Sequence, residues 1–183
     1  MRTYKTEGIV LKRRNLGEAD KVLTILSKEF GKIAVKAPGV RRISSRRSSH
    51  VELLNFSQFT LYRSSKTSMP IVTEAQTLED FSSIKSDLHK IGYAYYICEL
   101  INGLCADNQE NRSVFFYLKS VLLELSKTLD TQNLIKKFEK DLLMELGFWT
   151  EAKLLQTQDS QAVMEELLER KIKTLRVIPL FLE

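Results

Sequence analysis

Two cysteines and two histidines are all that this 183-residue chain offers of the side chains that most often hold metals. Cys98 and Cys105 stand seven apart in a predicted helix, where two thiols make neither a disulfide framework nor a zinc site. They read as core residues of a protein from a reducing compartment. His50 and His89 fall in different predicted domains, and neither has a cysteine or carboxylate at ligand spacing. Glu165, Glu166 and Glu169 read as a solvated helix face. There is no G-x-x-x-x-G-K-[ST] phosphate loop and no G-x-G-x-x-G turn. The sequence therefore shows no catalytic constellation, and no cofactor or metal is expected. Long apolar runs are missing too: none approaches the ~20 residues that span a bilayer. The N-terminal MRTYKTEGIVLKRR regains charge too soon for a signal peptide. The expectation is a soluble cytoplasmic protein that is not an enzyme and has no membrane partner.

What the chain does hold is positive charge, unevenly spread. An apolar fraction of 43% and a charged fraction of 28% are ordinary for a globular protein, and the length suffices for one large or two small cores. Residues 1–78 carry 15 Lys and Arg against six Asp and Glu, a net of +9, whereas residues 79–183 carry 13 against 17, a net of −4. A basic module joined to an acidic one accounts for this split better than a uniformly basic surface. The charge concentrates in Lys32–Arg47, KIAVKAPGVRRISSRR, with no acidic residue between Glu29 and Glu52.

Periodicity divides the chain at the same place. Gly8–Leu11, Val22–Leu26, Ile33–Val35, Phe56–Tyr62 and Pro70–Ala75 are short runs with period-two patterning, separated by Gly, Pro, Asn and Ser. Five such strands with a long third connection match the count of an OB-fold, although SH3-like barrels have a similar number. After Leu78 the period becomes helical. Stripes through Ile84–Leu104, Val114–Leu129, Leu134–Leu146 and Val163–Leu175 predict about four helices, with Thr131 capping the third and Gly147 closing it. The last is expected to start at Asp159 or Ser160 and to end at Pro179, before an apolar tail. The predicted organisation is α+β: a five-stranded OB barrel over residues 1–78 and an all-α domain over 79–183.

On such a barrel the cations are placed to meet a polyanion. Lys12, Arg13 and Arg14 follow the first predicted strand, Lys32 and Lys36 lie on the wet side of the third, and Arg63 ends the fourth. Arg41, Arg42, Arg46 and Arg47 fall in the loop between strands three and four, predicted to be mobile. Clustered like charges repel unless a partner neutralises them, and neutralising phosphates releases counterions, so affinity would depend steeply on salt. Tyr62 could add a stacking surface worth roughly 1–3 kcal/mol per base; Phe56 and Phe59 read as core.

One family carries this pattern. Gly8-Ile9-Val10-Leu11, Gly17-Glu18-Ala19-Asp20-Lys21, Leu23-Thr24, Phe30-Gly31-Lys32 and Ala37-Pro38-Gly39-Val40-Arg41-Arg42 occur in the order and spacing of the bacterial RecO family of recombination mediators. Phe56 to Tyr62-Arg63 and Glu74-Ala75 continue the resemblance. In the helical half, Tyr93–Leu100 and Phe138-Glu139 to Leu146-Gly147-Phe148 are similar to two of the family's helices. The resemblance implies an N-terminal OB-fold and a helical C-terminal domain. It also implies binding of single- and double-stranded DNA, strand annealing, and help in loading recombinase in nucleoid-associated repair. RecR and the acidic C-terminal tail of single-strand-binding protein are the partners it implies. Family members commonly carry a four-cysteine zinc module after the Leu-Gly-aromatic segment; Trp149–Gln158 has no cysteine, so none is expected here. The residues alone also allow an RNA-binding OB protein, or a helical scaffold whose basic loop recruits an acidic protein tail.

Overall fold

The computed structural model describes residues 2–65, 67–150 and 159–178. The chain divides into two compact units: Met1–Asp80 with Ala106–Phe115, and Phe81–Cys105 with Phe116–Glu183.

In the first unit, β1 (Arg2–Leu16), β2 (Asp20–Ser27), β3 (Gly31–Ala37), β4 (Phe56–Arg63) and β5 (Ile71–Glu79) close into a barrel in the order β1-β2-β3-β5-β4. This is an OB-fold, as the sequence predicts. The short run Gly8–Leu11 is the middle of a 15-residue strand. Its first part pairs with β4 and its second with β2, with a register shift between Val10 and Lys12. A bulge of this kind bends a strand and increases its twist, which lets β1 serve both sides of a closed barrel. Lys12–Arg14 therefore lie within β1 rather than after it. Val10, Leu23, Ile25, Ile33, Val35, Phe59, Leu61 and Val72 fill the interior. The alternate positions (Lys12 and Arg14; Val22 and Thr24; Lys32, Ala34 and Lys36) consequently face outward.

Ala106–Phe115 completes this unit. Asp107 bridges to Lys32, and the Asn108 amide donates to the Lys32 carbonyl at 2.8 Å. Gly31, at φ +63°, lies so close to the segment that a Cβ there would stand 1.7 Å from the Gln109 carbonyl oxygen. Phe115 tilts against Phe56 with ring centroids 6.2 Å apart.

The described helices are α1 (Ser82–Lys85), α2 (Leu88–Leu104), α3 (Arg112–Lys127), α4 (Thr131–Glu145) and α5 (Ser160–Leu167). The cap of α4 is Asp130, whose carboxylate accepts from the Asn133 amide, and not the expected Thr131. Gly147 closes that helix at φ +77°, donating to the Met144 carbonyl at 2.9 Å. The last helix stops at Leu167 instead of running through Ile172 and Leu175. A separate 3₁₀ turn at Thr174–Arg176 follows, held by Glu99 of α2, which accepts from the Thr174 amide at 2.9 Å and its hydroxyl at 2.8 Å. Pro179 and the apolar tail lie outside the described residues. Among α2, α4 and α5, the buried Glu139 accepts from the Tyr96 hydroxyl at 2.6 Å and the Ser160 hydroxyl at 2.5 Å. Both Cys98 and Cys105 are buried and unbridged.

Candidate nucleic-acid interface

Strand register brings residues far apart in sequence into one line across the outside of the barrel. Arg14 pairs with Val22, Val22 with Lys36, Lys36 with Ile71, and Ile71 with Tyr62. Directly opposed residues share a face, so Tyr62, Lys36 and Arg14 stand on one row. At ~4.8 Å per strand they are spaced about 10 Å apart. Lys12, opposite Thr24, lies two residues from Arg14 on the same face. The β1-β2-β3 surface thus presents an exposed Lys12 and Arg14 beside a half-buried Lys36.

The arginine loop is fastened at one end of this surface. Asp20, the first residue of β2, accepts from the Gly39 amide at 2.8 Å and pairs with the Lys36 ammonium at 2.9 Å. The Gly39 amide, ahead of the Lys36 pair, holds the Asp20 carboxyl below the usual carboxylate range. The Arg41 amide donates to the Ala19 carbonyl at 2.9 Å, and its guanidinium to the Gly17 carbonyl at 2.8 Å. Arg47 donates to the carbonyls of Val72 at 2.6 Å and Pro38 at 2.9 Å. The segment is thereby tied to the β1–β2 turn and to the beginning of β5. In OB-folds the β2–β3 face and the loops between strands 1 and 2 and strands 4 and 5 receive oligonucleotides. Arg42 and Arg46 project from this fastened loop as exposed side chains, and neither forms an ion pair among the described residues.

Comparison with known proteins agrees with this architecture. Residues 1–81 match the family description "Recombination protein O N terminal", and residues 85–151 match "Recombination protein O C terminal". The chain belongs to the RecO family. It is 36% identical to the DNA repair protein RecO of Pelotomaculum thermopropionicum over 148 residues, 81% of this chain and 57% of that protein. It is 35% identical to that of Roseiflexus sp. over 147 residues, covering 80% and 51%, respectively. The Listeria monocytogenes protein of the same name is 31% identical over 145 residues, covering 79% and 56%. The chain spans about half the length of the RecO proteins it matches.

Within this RecO-family barrel the sequence-predicted cations divide into two groups. Lys32 is on the outer face but covered rather than wet: it is only 8% exposed, and its ammonium pairs with Asp107 at 3.1 Å. Arg13 has the opposite parity from Arg14, and its guanidinium pairs with Glu52, which also meets Lys21 at 3.7 Å. Arg41 and Arg47 are spent largely on backbone carbonyls, which tie down the loop that carries them. Arg63 closes β4 beside Tyr62, at the entrance to the β4–β5 loop. Lys12, Arg14, Arg42 and Arg46 remain directed at solvent, while the half-buried Lys36 is shared between this surface and Asp20, with which its ammonium pairs.

Sequence reasoning missed the acidic residues that make this division. Asp20, Glu52 and Asp107 each lie far along the chain from at least one of their partners, and only the register brings them together. The sole signal was that Asp20 and Glu52 are among the few carboxylates near the basic run; nothing in the sequence pointed to Asp107. His50 has a structural role, its Nδ1 accepting from the Thr77 amide at 3.2 Å. Among the described residues no group of three or more His, Cys, Asp or Glu is placed to hold a metal. No described helix is long and apolar enough to cross a membrane.

Proposed function

We propose that this chain is a non-enzymatic DNA-binding component of recombinational repair whose barrel receives the phosphate backbone along the row Arg14–Lys36–Tyr62. The observation that supports this most is that row, flanked by a fastened loop presenting Arg42 and Arg46. Lys12, Arg14, Lys36, Arg42 and Arg46 would contact phosphates directly. Arg13, Lys32, Arg41 and Arg47 would shape the surface, while Tyr62 and Arg63 would bound its far end. A rigid basic surface can hold two strands together by screening the repulsion between their phosphates, and this lowers the barrier to annealing without a catalytic group.

The family membership supports the finer reading. Such a protein would bind single- and double-stranded DNA through its 1–78 barrel domain. It would act in the cytoplasm at the nucleoid, with RecR and with the acidic tail of single-strand-binding protein, to help place recombinase on coated strands. The helical 79–183 domain would supply the protein contacts.

The test is the quadruple variant Lys12→Glu, Arg14→Glu, Arg42→Glu and Arg46→Glu, which leaves every described fastening bond in place. Retention of DNA at moderate salt should be lost, and the slope of log affinity against log salt should fall by roughly 0.7–0.9 per phosphate contact removed. Unchanged retention and slope would refute the assignment. Competition between DNA and RNA strands of matched sequence separates the two polymers.

A further inference from the structure

We propose that the barrel carries a pocket for a single unpaired nucleobase, with Phe30 and Tyr4 as its stacking walls. The inference deepens the DNA-binding reading above and rests on it. Phe30 sits in the β2–β3 turn, where its amide donates to the Ser27 hydroxyl at 3.1 Å. The residue is 39% exposed, unlike the fully buried Phe59 of the barrel interior. It meets Tyr4 of β1 edge to face, with centroids 4.8 Å apart. Beside this pair lies a cavity of about 300 Å³, walled also by Ile33, Arg63 and Pro70. Burial, partly opposed by the neighbouring Arg63 charge, raises the Tyr4 pKa, so at neutral pH this wall is an uncharged phenol.

Two features point to a base rather than a phosphate. Glu29 and Glu110 line the same cavity; one Glu29 oxygen accepts from the Thr6 hydroxyl and one Glu110 oxygen pairs with Arg112, and the second oxygen of each carboxylate is an acceptor that suits ring and exocyclic N–H groups better than a phosphate. The position is also continuous with the basic row. Arg63 directly follows Tyr62, Pro70 directly precedes Ile71, and the Lys36 amide donates to the Pro70 carbonyl at 2.8 Å. A backbone tracked along Arg14, Lys36 and Tyr62 arrives at the mouth of the cavity, where Arg63 can hold a phosphate while its base turns inward. A paired base cannot make that turn without leaving its stack, so the pocket acts only on single strands.

The experiment is a salt series of binding by the full chain to a labelled single strand and to the matching duplex, using wild type, Phe30→Ala and Phe30→Tyr. Phe30→Ala should weaken single-strand binding roughly 5- to 150-fold, as loss of one base stack does, without altering the salt slope or duplex affinity. Phe30→Tyr keeps a ring and should bind like wild type. A 2-aminopurine strand should also change its emission on binding wild type, a readout that needs no variant to fold. Wild-type binding with a steep salt slope, but no single-strand deficit in Phe30→Ala, would overturn the pocket and leave the basic surface standing. An equal loss on strand and duplex, or unchanged 2-aminopurine emission, would also overturn it. Failure of wild type to bind either polymer would remove the DNA-binding reading and the pocket together.

Discussion

The guanidinium of Arg47 donates to the Val72 carbonyl at 2.6 Å, joining the arginine loop to β5 across 25 residues of chain. The same group reaches Thr73 and Pro38. A cation that the sequence offers as a phosphate ligand is thus the clasp of the loop that presents the others. Arg47→Ala should cost about 1–3 kcal/mol, as expected for charge-assisted bonds lost from partly buried carbonyls. Arg47→Lys should not restore it, because an ammonium lacks the planar fork that serves carbonyls on both sides. Denaturant unfolding of the three proteins measures this.

Neighbouring arginines on β1 should behave differently. Arg14 faces outward in the basic row, while Arg13 is paired with Glu52. Arg14→Ala should lower the salt slope of DNA binding by roughly one phosphate equivalent, about 0.7–0.9. Arg13→Ala should lower it by clearly less. Equal effects from the two would contradict the division made by strand parity.

Acid should release the loop by a route that can be isolated. The Asp20 carboxyl is depressed in the folded state by the Gly39 amide and by Lys36. A depressed carboxyl stabilises the fold above its unfolded value, near 3.9 for an aspartate, and that contribution disappears as pH falls through the lower folded value. The stability difference between wild type and Asp20→Asn should therefore be full at neutral pH and shrink below about pH 4. Unfolding midpoints measured from pH 7 to pH 2 check the sign.

In the helical unit, Glu139 is only 8% exposed and takes hydroxyl bonds from Tyr96 and Ser160. Burial, followed by the adjacent Glu139 charge, drives the Tyr96 pKa far up. Tyr96 should thus stay protonated in an ultraviolet titration through the range near pH 10 where exposed tyrosines ionise. Tyr96→Phe removes one donor from a buried carboxylate and should destabilise by about 1–3 kcal/mol. In a double-mutant cycle with Ser160→Ala, the two changes should be non-additive because they share one acceptor.

Gly31 is constrained twice. Its φ of +63° disfavours any L side chain, and a Cβ would collide with the Gln109 backbone. Gly31→Ala should destabilise by more than about 1 kcal/mol, and thermal unfolding would show it. Gly17 also has a positive φ, of +58°, but open space around it, so Gly17→Ala should cost less than Gly31→Ala.

Where a local pattern carried the information, the sequence was readable. Period-two runs at 22–26, 33–35 and 56–62 found their strands, the interior places of Phe59 and Val35 followed, and Gly147 announced the end of α4. The first part of β1 was hidden because Thr3, Lys5 and Glu7 alternate with Tyr4, Thr6 and Gly8, giving a strand little apolar contrast. The interface was legible as charge but not as geometry. Nothing local says that Arg14 faces outward while Arg13 turns to Glu52, since the bulge after Val10 sets that parity. Lys32 and Lys36 have the same strand parity, yet Asp107, 75 residues downstream of Lys32, pairs with only one of them.

The return of Ala106–Phe115 to the barrel bears on how this protein can be divided. A fragment ending at Asp80 would include all five strands but would lose Asp107 from Lys32 and the Phe115 ring from Phe56. It would bare an apolar outer patch and a lysine that the complete chain keeps covered. Such a fragment should be prone to self-association, and its extra accessible cation would make it a misleading stand-in for the intact molecule in DNA-binding measurements.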